Sequence, residues 1–203
     1  MRWTAKFLRP AVSAAEFPEA GAPEIAFLGR SNVGKSSLLN ALVGAKAAKV
    51  SSTPGRTRAI NFFLVSNEPS PASGKRVGRQ MIFADLPGYG YAKISKSISA
   101  EWPKFIEPYL LERETLALCV CLVDANVPPR PNDRQLIEWL RDAGREFLVV
   151  ATKIDRLSGN ERVRSLAALK EGLGVEEILP VSAKTGFGIA ELWRRISEAG
   201  NRE

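Results

Sequence analysis

The chain has 203 residues, 45% hydrophobic and 25% charged, which fits one soluble globular domain with a substantial core. It contains no histidine, so imidazole general bases and histidine metal ligands are excluded. No apolar run approaches the roughly 20 residues that cross a bilayer, and no signal-peptide pattern follows the N-terminus. We therefore expect a cytoplasmic protein without a membrane span. The net charge of +7 favours a phosphate-rich partner such as RNA.

Strands and helices alternate along most of the chain. Residues 1–22 carry scattered aromatic side chains among prolines and are expected to form an extended arm on a domain at 23–203. The first half of the domain is predicted to contain strand 25–28, helix 36–43, a loop at 45–58, and strands 60–65 and 80–84 on either side of a basic hairpin segment at 66–79. A helix is then expected through Trp102 and Phe105 to Leu111, with a kink or restart at Pro103 and Pro108. The second half is predicted to alternate strands 115–123, 146–151 and 177–181 with helices 132–143, 159–171 and 188–199, with Asn132 and Ser158 as N-caps. This alternation predicts an α/β sandwich with a mostly parallel sheet.

Two cysteines, Cys119 and Cys121, lie two residues apart in an apolar run. On a strand both side chains point to the same face. A disulfide or a metal pair is one interpretation, but the spacing matches no metal motif. The sequence therefore favours two small core residues.

A phosphate-binding loop follows the first predicted core strand. The run Gly29-Arg30-Ser31-Asn32-Val33-Gly34-Lys35-Ser36 fits G-x-x-x-x-G-K-[ST] between a strand and a helix, and Ser37 continues it. Its glycines let backbone N–H groups converge on phosphate oxygens at a helix N-terminus. Lys35 is expected to contact the β- and γ-phosphates, and the Ser36 hydroxyl to ligate Mg²⁺. This pattern alone indicates a nucleoside triphosphate and does not identify the base.

A second motif, Asp85-Leu86-Pro87-Gly88, ends the strand at 80–84. A carboxylate at the end of a neighbouring strand is suited to the Mg²⁺ shell. The glycine three residues later leaves a backbone N–H free to approach the γ-phosphate. Between the two motifs, Thr53-Pro54-Gly55-Arg56-Thr57 offers a hydroxyl that can join Mg²⁺ when the γ-phosphate is present. Thr57 is the expected ligand because it directly precedes a strand, and Thr53 is the alternative.

The base is predicted from Thr152-Lys153-Ile154-Asp155, which follows an apolar strand. Guanine presents two donors on its Watson–Crick edge, and a fixed carboxylate at Asp155 can accept both. Adenine has no such pair and leaves the carboxylate desolvated. The aliphatic stem of Lys153 is expected to lie across the purine. Ser182-Ala183-Lys184 then follows a short strand, and its small residues would let a backbone N–H reach the guanine O6.

In this order the motifs resemble the G motifs of translation-factor-related GTPases, which have a Ras-like fold with one antiparallel sheet edge. The details resemble the EngB (YihA) family over nearly the whole chain. The most specific stretch is Asp85-Leu86-Pro87-Gly88-Tyr89-Gly90-Tyr91-Ala92, and Thr53-Pro54-Gly55-Arg56-Thr57 and Asn61-Phe62-Phe63 support it. The resemblance implies a GTPase that assists assembly of the large ribosomal subunit and is needed for normal division and septation. A monomer is expected.

Catalysis is harder to assign. Ras-type enzymes place a glutamine after D-x-x-G to orient the attacking water, but Tyr89 stands there and is not expected to take that role. Arg56 and Arg58 are candidate catalytic arginines, with surface charge or RNA contact as the alternative. Slow intrinsic hydrolysis is therefore expected, with acceleration by a partner. By analogy with potassium-stimulated GTPases, Asn32 is expected to ligate K⁺. The residues expected to take part in catalysis are Lys35, Thr57 and Gly88.

Two other function classes fit the phosphate-binding loop. A P-loop kinase or ATPase leaves Thr152 to Asp155 unexplained. A nucleotide-binding scaffold with negligible hydrolysis, acting in division through a protein partner, would account for the missing glutamine. Turnover on the isolated protein and with ribosomal subunits separates this scaffold from a hydrolysing switch.

Overall fold

The computed structural model describes residues 3–44, 59–67, 79–89 and 104–201. The strands in these ranges are β1 (Trp3–Ala11), β2 (Glu24–Gly29), β3 (Ile60–Asn67), β4 (Gln80–Asp85), β5 (Leu116–Asp124), β6 (Phe147–Thr152) and β7 (Leu179–Pro180). The α-helices are α1 (Lys35–Val43), α2 (Ile106–Glu112), α3 (Pro131–Asp142), α4 (Gly159–Leu173) and α5 (Ile189–Ala199). Short 3₁₀ turns lie at Ala14–Glu16 and Ile154–Arg156.

The strands form one sheet in the order β1-β3-β4-β2-β5-β6-β7. The pairs β4–β2, β2–β5, β5–β6 and β6–β7 are parallel. Strand β3 pairs antiparallel with both β1 and β4. The predicted mostly parallel sheet with one antiparallel edge is therefore confirmed.

Helices cover both faces of the sheet, as expected when parallel strands are connected through crossover helices. One core cluster joins the sheet to α2, α3 and α4, and the other joins it to α1 and α5. The apolar runs of β2 and β5 are buried along nearly their whole length because they lie between these two layers. The three-layer arrangement directs the carboxyl ends of the parallel strands toward one edge, where the predicted motifs follow β2, β4, β6 and β7.

The N-terminal segment is more regular than its composition indicates. Residues 3–11 form β1, which pairs along its length with β3 and shifts register between Phe7 and Arg9. Most of its side chains are exposed, so the segment shows little hydrophobic alternation in sequence. Trp3 stacks on Trp193 of α5 at 4.5 Å between ring centroids, which secures the beginning of the strand.

The helix N-termini agree with the sequence prediction in α4 and differ from it in α3. Helix α3 begins at Pro131 with Arg130 as its N-cap, so the predicted Asn132 cap is wrong. Proline is favoured at the first helical position because its missing N–H has no partner there in any helix. Helix α2 begins at Ile106, so the predicted restart at Pro108 is wrong; Pro108 is tolerated because it lies in the first turn. The predicted cap at Ser158 is confirmed, with Glu161 completing a capping box.

The two remaining structural predictions concern β7 and the cysteines. Strand β7 spans only Leu179–Pro180, shorter than the predicted 177–181. Cys119 and Cys121 are free and buried in the same core cluster, as the favoured interpretation predicts. Burial raises the pKa of Cys119 to about 12, so its thiol is neutral at physiological pH.

Candidate functional site

The phosphate-binding loop turns between β2 and α1 in a backbone conformation that suits glycine. Gly34, which precedes α1, has φ of +104°, a region that L side chains rarely adopt. Gly29 ends β2 with Val33 packed against its Cα, so an added Cβ would lie only 2.8 Å from Val33 Cγ1. Asn32 also has a positive φ of 65°, which asparagine tolerates better than most residues. The loop therefore curls at the N-terminus of α1, where backbone N–H groups can face an anion.

Thr152 joins this loop to the end of β6. Its buried hydroxyl lies 2.6 Å from the carbonyl of Val33 and 3.1 Å from that of Val123. One donor proton thus serves carbonyls from two neighbouring segments. The first residue of the Thr152–Asp155 motif accordingly orders the phosphate loop rather than contacting a base.

A cavity of about 320 Å³ lies beside the loop. Its lining includes both base-recognition motifs together with the start of α1: Gly34, Ser37, Leu38, Thr152, Lys153, Asp155, Arg156, Val181, Ala183 and Lys184. The structure therefore brings the predicted phosphate and base residues together around one space large enough for a purine.

Asp155 is held within this cavity by Ser182. The Ser182 hydroxyl donates to Asp155 Oδ1 at 2.6 Å and itself accepts the Thr185 N–H at 3.1 Å. The hydrogen bond from Ser182 lowers the pKa of Asp155 despite the opposing effect of burial, so this carboxylate is charged at neutral pH. Ser182 is fully buried. Its side chain is thus a support for the carboxylate, a role that the sequence did not indicate for it.

Lys153 has supporting residues that the sequence analysis missed. Its Nζ donates to the carbonyl of Asn32 at 2.8 Å and to Asp124 Oδ2 at 2.7 Å. Asn126 donates to Asp124 Oδ1 through its backbone and side chain, and its amide also reaches the Lys153 carbonyl. Burial opposes ionisation of Asp124, but the hydrogen bonds from Lys153 and Asn126 lower its pKa. The position of Asp124 at the carboxyl end of β5 is the signal that could have identified it.

Lys35 and Asp85 meet at the centre of the site. Lys35 Nζ forms an ion pair with Asp85 and donates to the carbonyl of Leu86 at 2.6 Å. Asp85 is buried at the end of β4, and the backbone N–H of Leu86 donates to Phe27 of β2 at 3.2 Å. The cation expected to contact phosphates and the carboxylate expected to join the metal shell are therefore direct neighbours.

Gly88 lies against the phosphate loop. An added Cβ would be 2.9 Å from Ser31 Oγ and 3.0 Å from Ser31 N, so a larger residue requires a shift. The next residue, Tyr89, is 2% exposed, and its hydroxyl donates to Asp133 Oδ1 at 3.1 Å. Tyr89 therefore points into the protein, in agreement with the expectation that it does not orient water.

Several predicted residues lie outside the described ranges. These are Thr53, Pro54, Gly55, Arg56, Thr57, Arg58, Lys75 and Arg76, together with Gly90, Tyr91, Ala92, Trp102 and Pro103. The roles expected for them remain predictions.

Comparison with known proteins identifies the family. The model of the family described as "50S ribosome-binding GTPase" matches residues 24–153. A probable GTP-binding protein EngB of Acidobacterium capsulatum is 64% identical over 94% of this chain and 88% of its own length. The chain belongs to the EngB family of GTP-binding proteins. A Koribacter versatilis relative of the same description is 58% identical over 100% of this chain and 97% of its own length.

Solved structures agree with this assignment. The crystal structure of a probable GTP-binding protein engB aligns with a TM-score of 0.63 and 25% identity, covering 87% of this chain and 97% of the other. The predicted family and the GTPase activity are therefore confirmed. Guanine is the base of its nucleotide, which fits the carboxylate at Asp155 in the cavity.

Proposed function

We propose that this GTPase is a Mg²⁺-dependent switch that assists assembly of the large ribosomal subunit and is needed for normal division and septation. The observation that carries the proposal is the match of residues 24–153 to a family described as ribosome-binding. The net charge of +7 supports it, because rRNA presents a dense array of phosphates. We further propose that the protein acts in the cytoplasm as a monomer. In the described ranges, no helix combines the length and apolar character required to cross a membrane.

Separate groups of residues in the site bind the phosphates and the base of the nucleotide. Lys35 and the backbone N–H groups of residues 29–37 hold the phosphates, where the lysine neutralises charge that develops during transfer. At the other end, Asp155 accepts from guanine while Lys153 and Ser182-Ala183-Lys184 enclose the base. Lys35 then exchanges part of its present contact with Asp85 for phosphate oxygens.

The donor set fits Mg²⁺. Ser36 supplies a hydroxyl and Asp85 a carboxylate, both hard oxygen ligands, and Thr57 is proposed to add a second hydroxyl. Such a small protein donor set fits Mg²⁺ shared with phosphates, because phosphate oxygens and waters complete its octahedral shell. When bound, Mg²⁺ neutralises charge on the β- and γ-phosphates.

We propose that hydrolysis by the isolated protein is slow. The Tyr89 hydroxyl is engaged by Asp133, and Arg30 of the phosphate loop is paired with the same carboxylate at 3.1 Å. Neither side chain is therefore arranged to orient water or to reach the γ-phosphate. Thr57 and Gly88 are proposed to close on the γ-phosphate and to release after hydrolysis, and a ribosomal particle is proposed to accelerate that step.

Residues 1–22 are proposed to act as an arm of the domain at 23–203. Beyond the pairing of β1 with β3, Trp193 links this arm to the nucleotide site, because its Nε1 donates to the carbonyl of Leu42 in α1 at 2.8 Å. The same indole stacks on Trp3. Trp193 therefore contacts both the arm and the helix of the phosphate loop.

The ribosomal role is tested by binding and turnover with purified large subunits. We expect subunits to accelerate GTP hydrolysis, and replacement of Lys75, Arg76 and Arg79 by alanine to weaken binding and to reduce the slope of log affinity against log salt by about 2. Arg79 lies at the base of the hairpin, where its backbone pairs with Asn67, so truncation of its exposed side chain leaves those bonds in place.

A triple alanine variant at Lys104, Arg164 and Lys170 is the matched control, because it removes the same charge from exposed side chains elsewhere. Equal effects of the two variants would indicate general electrostatic attraction and exclude the hairpin as the contact. Subunits that leave turnover unchanged would contradict the ribosomal role itself.

A potassium site beside the phosphates is proposed at Asn32. Its left-handed backbone and its exposed position in the phosphate loop support a ligand there. We expect turnover in KCl to exceed turnover in NaCl of equal ionic strength, and alanine at Asn32 to abolish the difference. Equal turnover of the wild-type protein in both salts would end this proposal.

A further inference from the structure

A buried carboxylate connects the phosphate loop, the D-x-x-G segment and α3. Asp133 is 1% exposed, and its Oδ1 lies 3.1 Å from Arg30 Nε and accepts the Tyr89 hydroxyl at 3.1 Å. Its Oδ2 accepts the backbone N–H of Arg130, the N-cap of α3, at 3.2 Å. One side chain thus contacts three segments that are separate in sequence.

The backbone beside this cluster is also joined. Ser31 donates its N–H to the carbonyl of Tyr89 at 3.2 Å, and Arg30 and Tyr89 form an isolated parallel bridge. The close approach of Gly88 to Ser31 is immediately adjacent. Anchoring the Tyr89 side chain therefore restrains the peptide that precedes it, which carries Gly88.

The charges and burial of this cluster favour an Asp133 carboxylate that keeps both of its side-chain partners, Arg30 and Tyr89. Burial raises the pKa of Asp133, and the charge of Arg30 opposes this shift. Burial and the neighbouring Asp133 raise the pKa of Tyr89 well above its usual value, so the phenol remains a neutral donor. A buried carboxylate is costly unless it is paired and hydrogen-bonded. Loss of the contact from Tyr89 or from Arg30 should therefore shift the segment to which that residue belongs.

We propose that Asp133 is a positioning residue for γ-phosphate recognition, which holds Gly88 beside the phosphate loop through Tyr89 and Arg30. In this arrangement the anchored Tyr89 limits how far Gly88 moves away when the γ-phosphate is absent, so less ordering is required when GTP binds. GDP lacks the γ-phosphate and gains nothing from this placement. The inference rests on the proposed role of Gly88 and adds the group that holds it in position.

The test compares affinities for fluorescent GDP and for a fluorescent non-hydrolysable GTP analogue, both with Mg²⁺. We expect Tyr89→Phe to weaken binding of the GTP analogue about five- to tenfold, because part of the free energy of a hydrogen bond to a charged group is transmitted to Gly88, and to change GDP affinity less than about twofold. The ratio of the two affinities is decisive, because general destabilisation of the fold lowers both equally. An unchanged ratio overturns the proposal.

Tyr109→Phe is a matched control. The Tyr109 hydroxyl is also buried and donates to a carboxylate, Glu24 Oε2, at 2.9 Å, but Glu24 is at the beginning of β2 while the phosphate loop follows its end. We expect this variant to lose stability without a change in the affinity ratio. A similar ratio change in both variants would overturn the proposal, because it would mean that any buried tyrosine has this effect.

One further variant separates the possible failures. An added Cβ in Gly88→Ala presses against Ser31 of the phosphate loop, so some loss of affinity for both nucleotides is expected; the loss should be larger for the GTP analogue than for GDP if Gly88 contacts the γ-phosphate. If Gly88→Ala is selective in this way and Tyr89→Phe is not, the positioning inference is wrong while the role of Gly88 stands; if neither is selective, that role fails as well. A fall in kcat for Tyr89→Phe with an unchanged affinity ratio would instead assign the hydroxyl to catalysis and overturn the positioning role.

Discussion

Replacement of Asp155 by asparagine is expected to convert the preference of this GTPase from guanine to xanthine nucleotides. The carboxylate accepts two donors from guanine, whereas a carboxamide supplies one acceptor and one donor. Xanthine carries a carbonyl where guanine carries the exocyclic amine, so it matches the carboxamide. We expect GDP affinity to fall about 100-fold or more and xanthosine diphosphate to become the tighter ligand, because buried polar groups without partners are costly.

Ser182 influences how strongly the variant prefers xanthine over guanine, because it orients the side chain at position 155. Its hydroxyl accepts from Thr185 and therefore directs its proton to the Oδ1 position of residue 155. In Asp155→Asn this favours the amide oxygen at that position and fixes the orientation of the carboxamide. Fluorescent guanine, xanthine and adenine diphosphates, titrated in parallel, measure the result.

Ser182→Ala is the control for this experiment. It removes the support but keeps the carboxylate, so we expect about three- to tenfold weaker GDP binding with no gain for xanthine. Equal loss of guanine and xanthine binding in Asp155→Asn would contradict the assignment of Asp155 to the base. Indifference of the wild-type protein to the base would contradict it more directly.

The parts of the site that the sequence predicted are those with strict local chemistry. Gly34 requires a left-handed backbone, and Lys35 and Asp155 must occupy fixed places in motifs that follow strands. The alternation of apolar strands and amphipathic helices also sufficed for the layers and the mostly parallel sheet. These features depend on nearby residues, so they are visible in a window of sequence.

The parts that the sequence did not predict depend on contacts across long separations. Asp133 is 44 residues from Tyr89, and Asp124 is 29 residues from Lys153. Asp124 carries one local signal, its position at the carboxyl end of β5, but nothing local distinguishes Asp133 from a solvated acid in the first turn of a helix. Strand β1 was similarly hidden, because its edge position leaves most side chains exposed and removes the alternation on which strand prediction relies.

A buried ion pair distant from the nucleotide should control the stability of the fold. Glu24 is fully buried at the start of β2 and accepts from Tyr109 at 2.9 Å, from Thr115 at 2.7 Å and from Arg113 Nε at 2.7 Å. Arg113 also donates to the carbonyl of Pro18 at 2.6 Å, which fixes the segment between β1 and β2. The carboxylate thus satisfies donors from three residues at once.

Glu24→Ala is expected to lower the free energy of unfolding by about 3–5 kcal/mol, because it leaves a half-buried guanidinium and two hydroxyls without their acceptor. For a chain of this size the melting temperature should fall by about 6–20 °C at a fixed GDP concentration, since bound nucleotide itself stabilises the fold. Glu138→Ala is the control: it breaks the exposed i,i+4 pair with Arg134 on α3 and should cost less than about 1 kcal/mol. Comparable losses in the two variants would show that burial of Glu24 carries no special weight. A large loss only for Glu24 would instead show that the beginning of β2 is stabilised by this ion pair, while its end is left to bind phosphate.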